Sequence, residues 1–166
     1  TLPAGQPGEL FVRRHPAMFE EYYKKPEATR DTQRGDWASV GDVAWMDEDG
    51  FVYICDRKRD MIISGGANIY PAEIEDVLHR HPAVADVAVF GVPDDDWGER
   101  VHAAVELRPD AAAGAEEIIA FARDHLAGYK APREVSFHQA LPRDTAGKLV
   151  KRVLREPHWA GRASRV

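Results

Sequence analysis

Apolar residues recur along this chain with two periods, and the changes between them lay out the elements. After a Pro/Gly-rich entry, Pro3 to Gly8, the run Gly8-Glu9-Leu10-Phe11-Val12-Arg13 reads as a short strand. Asp42 to Met46 and Phe51 to Cys55 flank Asp47-Glu48-Asp49-Gly50, a turn sequence that predicts a hairpin, and Gly35-Asp36-Trp37 turns the chain toward it. The aromatic and charged segment Met18 to Lys25 reads as a helix of ambiguous period. Further on, Ile74, Val77 and Leu78 stand at i, i+3 and i+4, one apolar helix face ending near His81-Pro82. Val84 to Val92 is an unbroken β-branched run bounded by prolines, the pattern of a buried strand. Pro93 to Gly98 reads as a loop, and Arg100 to Leu107 as the paired strand. Ile118, Ile119, Ala122 and Leu126 mark a second helix, ended by Gly128. A strand at Glu134 to His138 and a helix at Leu149 to Arg155 complete the pattern, and a tail from Glu156 to Val166 is expected to be disordered. Helices alternating with strands predict a compact lobe of the α/β (α+β) class, a short sheet flanked by helices, after a β-rich beginning.

The two parts meet at one stretch. Asp56-Arg57-Lys58-Arg59-Asp60 is wholly polar, and Met61-Ile62-Ile63, Gly65-Gly66 and a helix opened by Pro71 follow at once. A solvated joint feeding a buried element is how a domain begins. Gly65-Gly66 also permits backbone conformations closed to other residues and a close approach by a ligand.

Composition narrows the function. At 166 residues there is enough chain for one good core or two small lobes. A net charge of −6 opposes nucleic-acid binding by phosphate neutralisation, and the cluster Arg57-Lys58-Arg59 is too short and too balanced by Asp56 and Asp60 to serve it. The single cysteine, Cys55, precludes an internal disulfide and suits a reducing, cytoplasmic setting. No apolar run reaches the 18 residues of a membrane span, and no signal-peptide pattern opens the chain. His79-x-His81 lacks a third ligand at metal spacing, so no metal site is expected.

Three stretches carry candidate chemistry. Leu141-Pro142-Arg143-Asp144-Thr145-Ala146-Gly147-Lys148 places an ammonium group on an exposed, mobile tip. It is no Walker A loop, since Leu149 stands where a Ser or Thr would hold Mg²⁺. Asp42 follows Gly41, and as an ionised carboxylate it can only accept hydrogen bonds. Tyr129-Lys130-Ala131-Pro132-Arg133 joins an aromatic face to two cations, a set suited to stacking and phosphate pairing, while a plainer reading makes Tyr129 and Trp97 core or rim aromatics.

These motifs, in this order, resemble the adenylate-forming superfamily of AMP-forming acyl-CoA synthetases, luciferases and peptide-synthetase adenylation domains. The resemblance runs from Gly8-Glu9-Leu10 through Trp37 and Gly41-Asp42 to the joint, the Gly-Gly turn and the terminal Gly147-Lys148, reaching about Arg155. It implies that residues 1–58 end a large N-terminal domain in a small, incomplete β-barrel lobe, and that 59–166 form the mobile C-terminal domain. By the same resemblance Lys148 is the catalytic lysine between carboxylate and α-phosphate, Asp42 and Arg57 bind the nucleotide's ribose, and Arg59 is the hinge. Gly65, Gly66, Trp97, Tyr129, Lys130 and Arg133 then line the CoA route. Arg59 departs from the usual Asp or Lys, Val40 replaces a common Thr, and Ala131 replaces a basic residue found in some members.

The phosphate loop and acyl pocket of that family are not within these residues, so the chain reads as the last third of a cytoplasmic ligase, inactive in isolation. The implied reaction activates a fatty or aromatic carboxylic acid with ATP and Mg²⁺ and passes the acyl group to CoA. The implied partners are these small molecules and the chain's own N-terminal domain, and a homo-oligomer is compatible with the sequence. The alternatives are a non-catalytic, partner-binding or regulatory lobe, and part of a peptide-synthetase adenylation domain.

Overall fold

A ten-residue strand organises the first part of the chain. The computed structural model describes residues 1–15, 24 and 26–162, and its contacts divide them into two units, Thr1–Arg59 and Asp60–Val166. In the first unit β1 (Gly8–Arg13), a helix α1 (Pro26–Thr32), β2 (Gln33–Arg34), β3 (Trp37–Met46) and β4 (Val52–Arg57) follow in order. All pairings are antiparallel: β1 lies along one edge of β3, and β2 and β4 share the other. β3 starts five residues before the expected Asp42, because pairing with β1 and β2 extends it across polar Ser39. The hairpin turn is held by Asp47, whose Oδ1 accepts from the amides of Asp49 and Phe51 at 3.0 and 2.9 Å. The helix expected at Met18 to Lys25 lies outside the described residues, apart from Lys24, a turn residue.

The second unit contains β5 (Ile62–Ser64), β6 (Ala67–Ile69), α2 (Pro71–Leu78), β7 (Val84–Asp94), β8 (Gly98–Leu107), α3 (Ala115–His125), β9 (Glu134–His138) and α4 (Lys151–Trp159). The sheet runs β6-β5-β8-β7, and β9 pairs in parallel with residues 102–106 of β8. The β7 run is apolar throughout because both faces of the strand are covered. Val87 and Val89 pack with Ile74 and Leu78 of α2 and Ile118 and Ala122 of α3 in one core. Ala88, Phe90 and Val92 point the other way, into a second core with Leu141, Leu149 and Leu154.

Several boundaries differ from the sequence reading. Pro93 does not end β7 but pairs with Glu99 inside it, a place where a missing N–H costs little because the ladder is ending. α3 stops at His125 rather than at Gly128, since Leu126 is already extended. The last helix begins at Lys151 and continues through Pro157, so Glu156 to Trp159 are helical rather than disordered. Trp159 Nε1 donates to the carbonyl of Gly91 at 3.2 Å, which ties that helix end to β7.

One buried group stands apart. His102, 2 % exposed, stacks on Phe90, meets the tilted ring of His158 and shares a 2.9 Å hydrogen bond with Ser136 Oγ. Burial, which penalises the imidazolium, pulls its pKa below the ordinary value, against the nearby Glu134 carboxylate that raises it.

Candidate functional site

The two units carry separate groups of the expected residues. In the first, Asp42 of β3 lies directly opposite Arg57 of β4, so the strand pairing joins residues fifteen apart in sequence. Arg57 Nε sits 3.1 Å from Asp42 Oδ1, and both side chains reach solvent. Beside them Glu9 accepts from Lys58 Nζ at 2.7 Å and from Ser39 Oγ at 2.6 Å. Burial pulls the Glu9 carboxyl up, but the bonds from Lys58 and Ser39 outweigh it and hold the pKa below the usual range. Ser39, Gly41, Arg57, Lys58 and Arg59 line a shallow depression of about 450 Å³ with Glu9 on its wall. Val40, also on its rim, is exposed. An anionic acceptor beside two or three cations is the right chemistry for a hydroxyl-bearing, negatively charged ligand.

In the second unit Gly65 and Gly66 form the two-residue turn between β5 and β6, with φ of +57° and +82°. Positive φ at both central positions defines the turn whose twist suits a hairpin, and only glycine adopts it freely. The ring of Trp97 lies against Gly65 so closely that a Cβ there would stand 2.3 Å from it, and the Gly65 amide donates to the Trp97 carbonyl at 2.9 Å. The Arg133 guanidinium sits 5.4 Å from the Trp97 ring centre, the cation–π range. Gly65, Trp97 and Arg133 are therefore one continuous patch, with Trp97 half exposed on it.

Tyr129 and Lys130 do not join that patch in the same way. Tyr129 is exposed on the turn after α3, and the Lys130 ammonium is gripped by both carboxylate oxygens of Glu73 at 2.7 Å. Ala131 belongs to the first core of this unit, so no charge could stand there without being buried.

Lys148 projects from a tight hairpin. Gly147 N donates to Asp144 O, Asp144 N donates to Lys148 O, and Gly147 takes φ +78°, the pattern of a type I turn closed by a glycine bulge. The Asp144 carboxylate accepts from the amides of Ala146 and Lys148, both at 2.9 Å. Lys148 is exposed, and its ammonium makes no ion pair among the described residues. By contrast Lys151, three residues on, pairs with Glu75 at 2.7 Å.

Sequence reasoning passed over the groups that support this hairpin. Arg143 NH1 donates to the carbonyl of Gly147 at 2.7 Å, and NH2 pairs with Asp86 on β7. Nothing in the spacing of Asp86 and Arg143 relates them; only the fold does. Among the described residues no group of three or more His, Cys, Asp or Glu converges. Among the described residues no helix is long and apolar enough to cross a membrane.

Comparison with known proteins fits this geometry. Residues 73–148 match the family described as AMP-binding enzyme C-terminal domain, ending on Lys148 itself. A long-chain-fatty-acid–CoA ligase of Bacillus subtilis is 46% identical over 149 residues, 90% of this chain and 26% of that protein. The solved structure of ATP-bound MatB from Rhodopseudomonas palustris superposes with a TM-score of 0.86 at 38% identity, over 96% of this chain and 32% of that one. An o-succinylbenzoate CoA synthetase from Bacillus subtilis, solved with its acyl-adenylate intermediate, gives 0.82 at 35% identity over 99% of this chain and 32% of that one. The chain thus spans about a quarter to a third of the length of the proteins it matches. With the mixed α/β lobe, the terminal Gly-Lys hairpin and these alignments in agreement, residues 73–148 of the chain belong to the family of AMP-binding enzyme C-terminal domains.

Proposed function

We propose that this chain is the C-terminal part of an AMP-forming acid–CoA ligase that joins ATP and a fatty or aromatic carboxylic acid into an acyl-adenylate and then passes the acyl group to CoA. The observation that carries the reading is the exposed, unpaired ammonium of Lys148 at the tip of a closed hairpin inside the matched domain. A carboxylate approaching an anionic triphosphate is repelled, and a cation between them offsets that repulsion most where charge concentrates, at the transition state. Lys148 is the catalytic group in this reading.

Asp42 accepts the ribose hydroxyls, and Arg57, held beside it at 3.1 Å, fixes the carboxylate and contacts the same sugar. Arg59 is the hinge between residues 1–58 and 59–166, which lets one face of the mobile domain follow another into the reaction centre. Gly65, Gly66 and Trp97 line the pantetheine route with Tyr129 at its edge, and Arg133 meets the CoA phosphates. Lys130 takes a secondary part there, because Glu73 already neutralises it. The exposed apolar side chains of the first unit, Phe51 and Ile54 among them, are the surface against which the remainder of the N-terminal domain packs. The setting is the cytoplasm.

The test uses the longer protein of which these residues form part. Lys148→Ala should abolish adenylation, read as pyrophosphate exchange, and spare thioester formation from supplied acyl-adenylate. Equal loss of both steps, or of neither, contradicts the assignment.

A further inference from the structure

The hydrogen bonds inside the Lys148 hairpin fix its shape but not its position. Asp144, Gly147 and Lys148 bond to one another, and Val150 N donates to Pro142 O at 2.8 Å at the base. Leu141 and Leu149 anchor that base in the second core, and Leu141 N donates to Glu106 at 3.0 Å. Residues 143–148 are exposed, so no apolar packing holds the tip. A hairpin attached only at its base is free to swing, and the ammonium four carbons beyond its backbone swings with it.

Arg143 removes that freedom. One nitrogen of its guanidinium donates to the carbonyl of Gly147, the residue before Lys148, at 2.7 Å, and another pairs with Asp86 on β7. Asp86 is itself held from two sides. Its Oδ1 accepts from the amide of Val87 at 2.9 Å and lies 3.3 Å from His79 Nε2, next to α2. The result is a continuous chain of contacts from helix and sheet, through one carboxylate and one guanidinium, to the peptide that carries the lysine. A planar fork of donors serves two acceptors in fixed directions at once, which the rotating, shorter-reaching ammonium of a lysine does less well.

We propose that Arg143 is a positioning residue for Lys148: braced on Asp86, it holds the Gly147 carbonyl and so sets where the catalytic ammonium stands during adenylation. The proposal rests on the role given to Lys148 above. A displacement of about 1 Å at a reacting group costs on the order of 100-fold in rate, so loss of the brace reads out in turnover rather than in substrate binding.

In the longer protein, Arg143→Ala should lower kcat for adenylation by about 10–100-fold with KM for ATP nearly unchanged, and leave thioester formation from supplied acyl-adenylate intact. Asp86→Asn, a gentler change, should give a smaller loss of the same kind, and Arg143→Lys should recover part of the rate. Adding Arg143→Ala to Lys148→Ala should cost nothing more, since the brace acts through the lysine. Hydrogen exchange at the amides of Gly147 and Lys148 should quicken in Arg143→Ala and Asp86→Asn while the β7 amides stay protected. Adenylation within twofold of the parent in Arg143→Ala, with Lys148→Ala inactive, overturns this proposal alone. A raised KM for ATP with unchanged exchange at 147 and 148, or equal loss of both half-reactions, overturns it too by making Arg143 a ligand contact or a simple fold residue. If Lys148→Ala keeps full adenylation, the reading of Lys148 fails and this proposal falls with it.

Discussion

The two units bury their apolar side chains to very different degrees. In Asp60–Val166 the sheet has a packed core on each face, and Ile62, Ile69, Ile74 and Leu78 are wholly buried. In Thr1–Arg59 the buried apolar side chains among the described residues are Val43 and Ala44, while Phe51 is 67% and Ile54 64% exposed. Strands of similar composition thus serve two ends. A sheet covered on both sides is stable by itself, whereas one with bare apolar positions draws its stability from whatever covers them. The candidate residues follow the same division: Lys148 and Trp97 stand on the unit with a closed core, and Asp42 and Arg57 on the unit with exposed apolar positions.

The largest effect that could break this comparison is a pair of truncations. Leu78→Ala should cost about 2–5 kcal/mol, since it opens a cavity in a closed core, and Phe51→Ala should stay within about 0.5 kcal/mol. Denaturant midpoints measured on the chain check both, and equal costs would erase the distinction. Next in size is Gly65→Ala. It forces a side chain into positive φ and against the Trp97 ring, and a loss of about 1–3 kcal/mol in thermal unfolding is expected.

Acid should separate the units further. His102 has a lowered pKa in the folded state, so the unfolded chain binds more protons; stability is full above the ordinary histidine value and declines as pH falls through the lowered one. For Glu9, also lowered, the loss begins only below the ordinary carboxylate value. The second unit should therefore begin to weaken as pH falls below about 6.5, before the loss at Glu9 sets in, and His102→Asn should flatten that slope. Amide exchange followed separately in each unit across this range is the measurement, and a parallel decline in both would contradict it. The smallest effect concerns Asp42 and Arg57. Both are partly exposed, so a double-mutant cycle on stability should give a coupling of only about 0.2–1 kcal/mol. A coupling of several kcal/mol would mean that the pair is structural in its own right.

Much of the fold was legible because it depends on local pattern. The strands Gly8–Arg13 and Glu134–His138 stand where alternation and flanking turn residues put them, and Pro71 opens α2 as a first-turn proline should. Places where the reading failed share one cause, a distant partner overriding a local signal. Pro93 remains in β7 because Glu99 pairs with it, and Glu156 to Trp159 stay helical while Trp159 bonds to Gly91. The same holds for the candidate site. Lys148 was visible as a Gly-Lys tip, yet the engagement of Lys130 by Glu73, 57 positions away, was not.

By itself the sequence determined the class of the fold and the residue types gathered for anion chemistry, since periodicity, turn glycines and charge are local properties of the chain. Tertiary structure alone decided which charges are spent and which are free. Asp42 meets Arg57 through strand register, Lys130 and Lys151 are neutralised by Glu73 and Glu75, and Arg143 reaches Asp86 across the fold, leaving Lys148 exposed. Coulombic pairing acts over a few ångströms of space, and separation along the chain does not determine that distance.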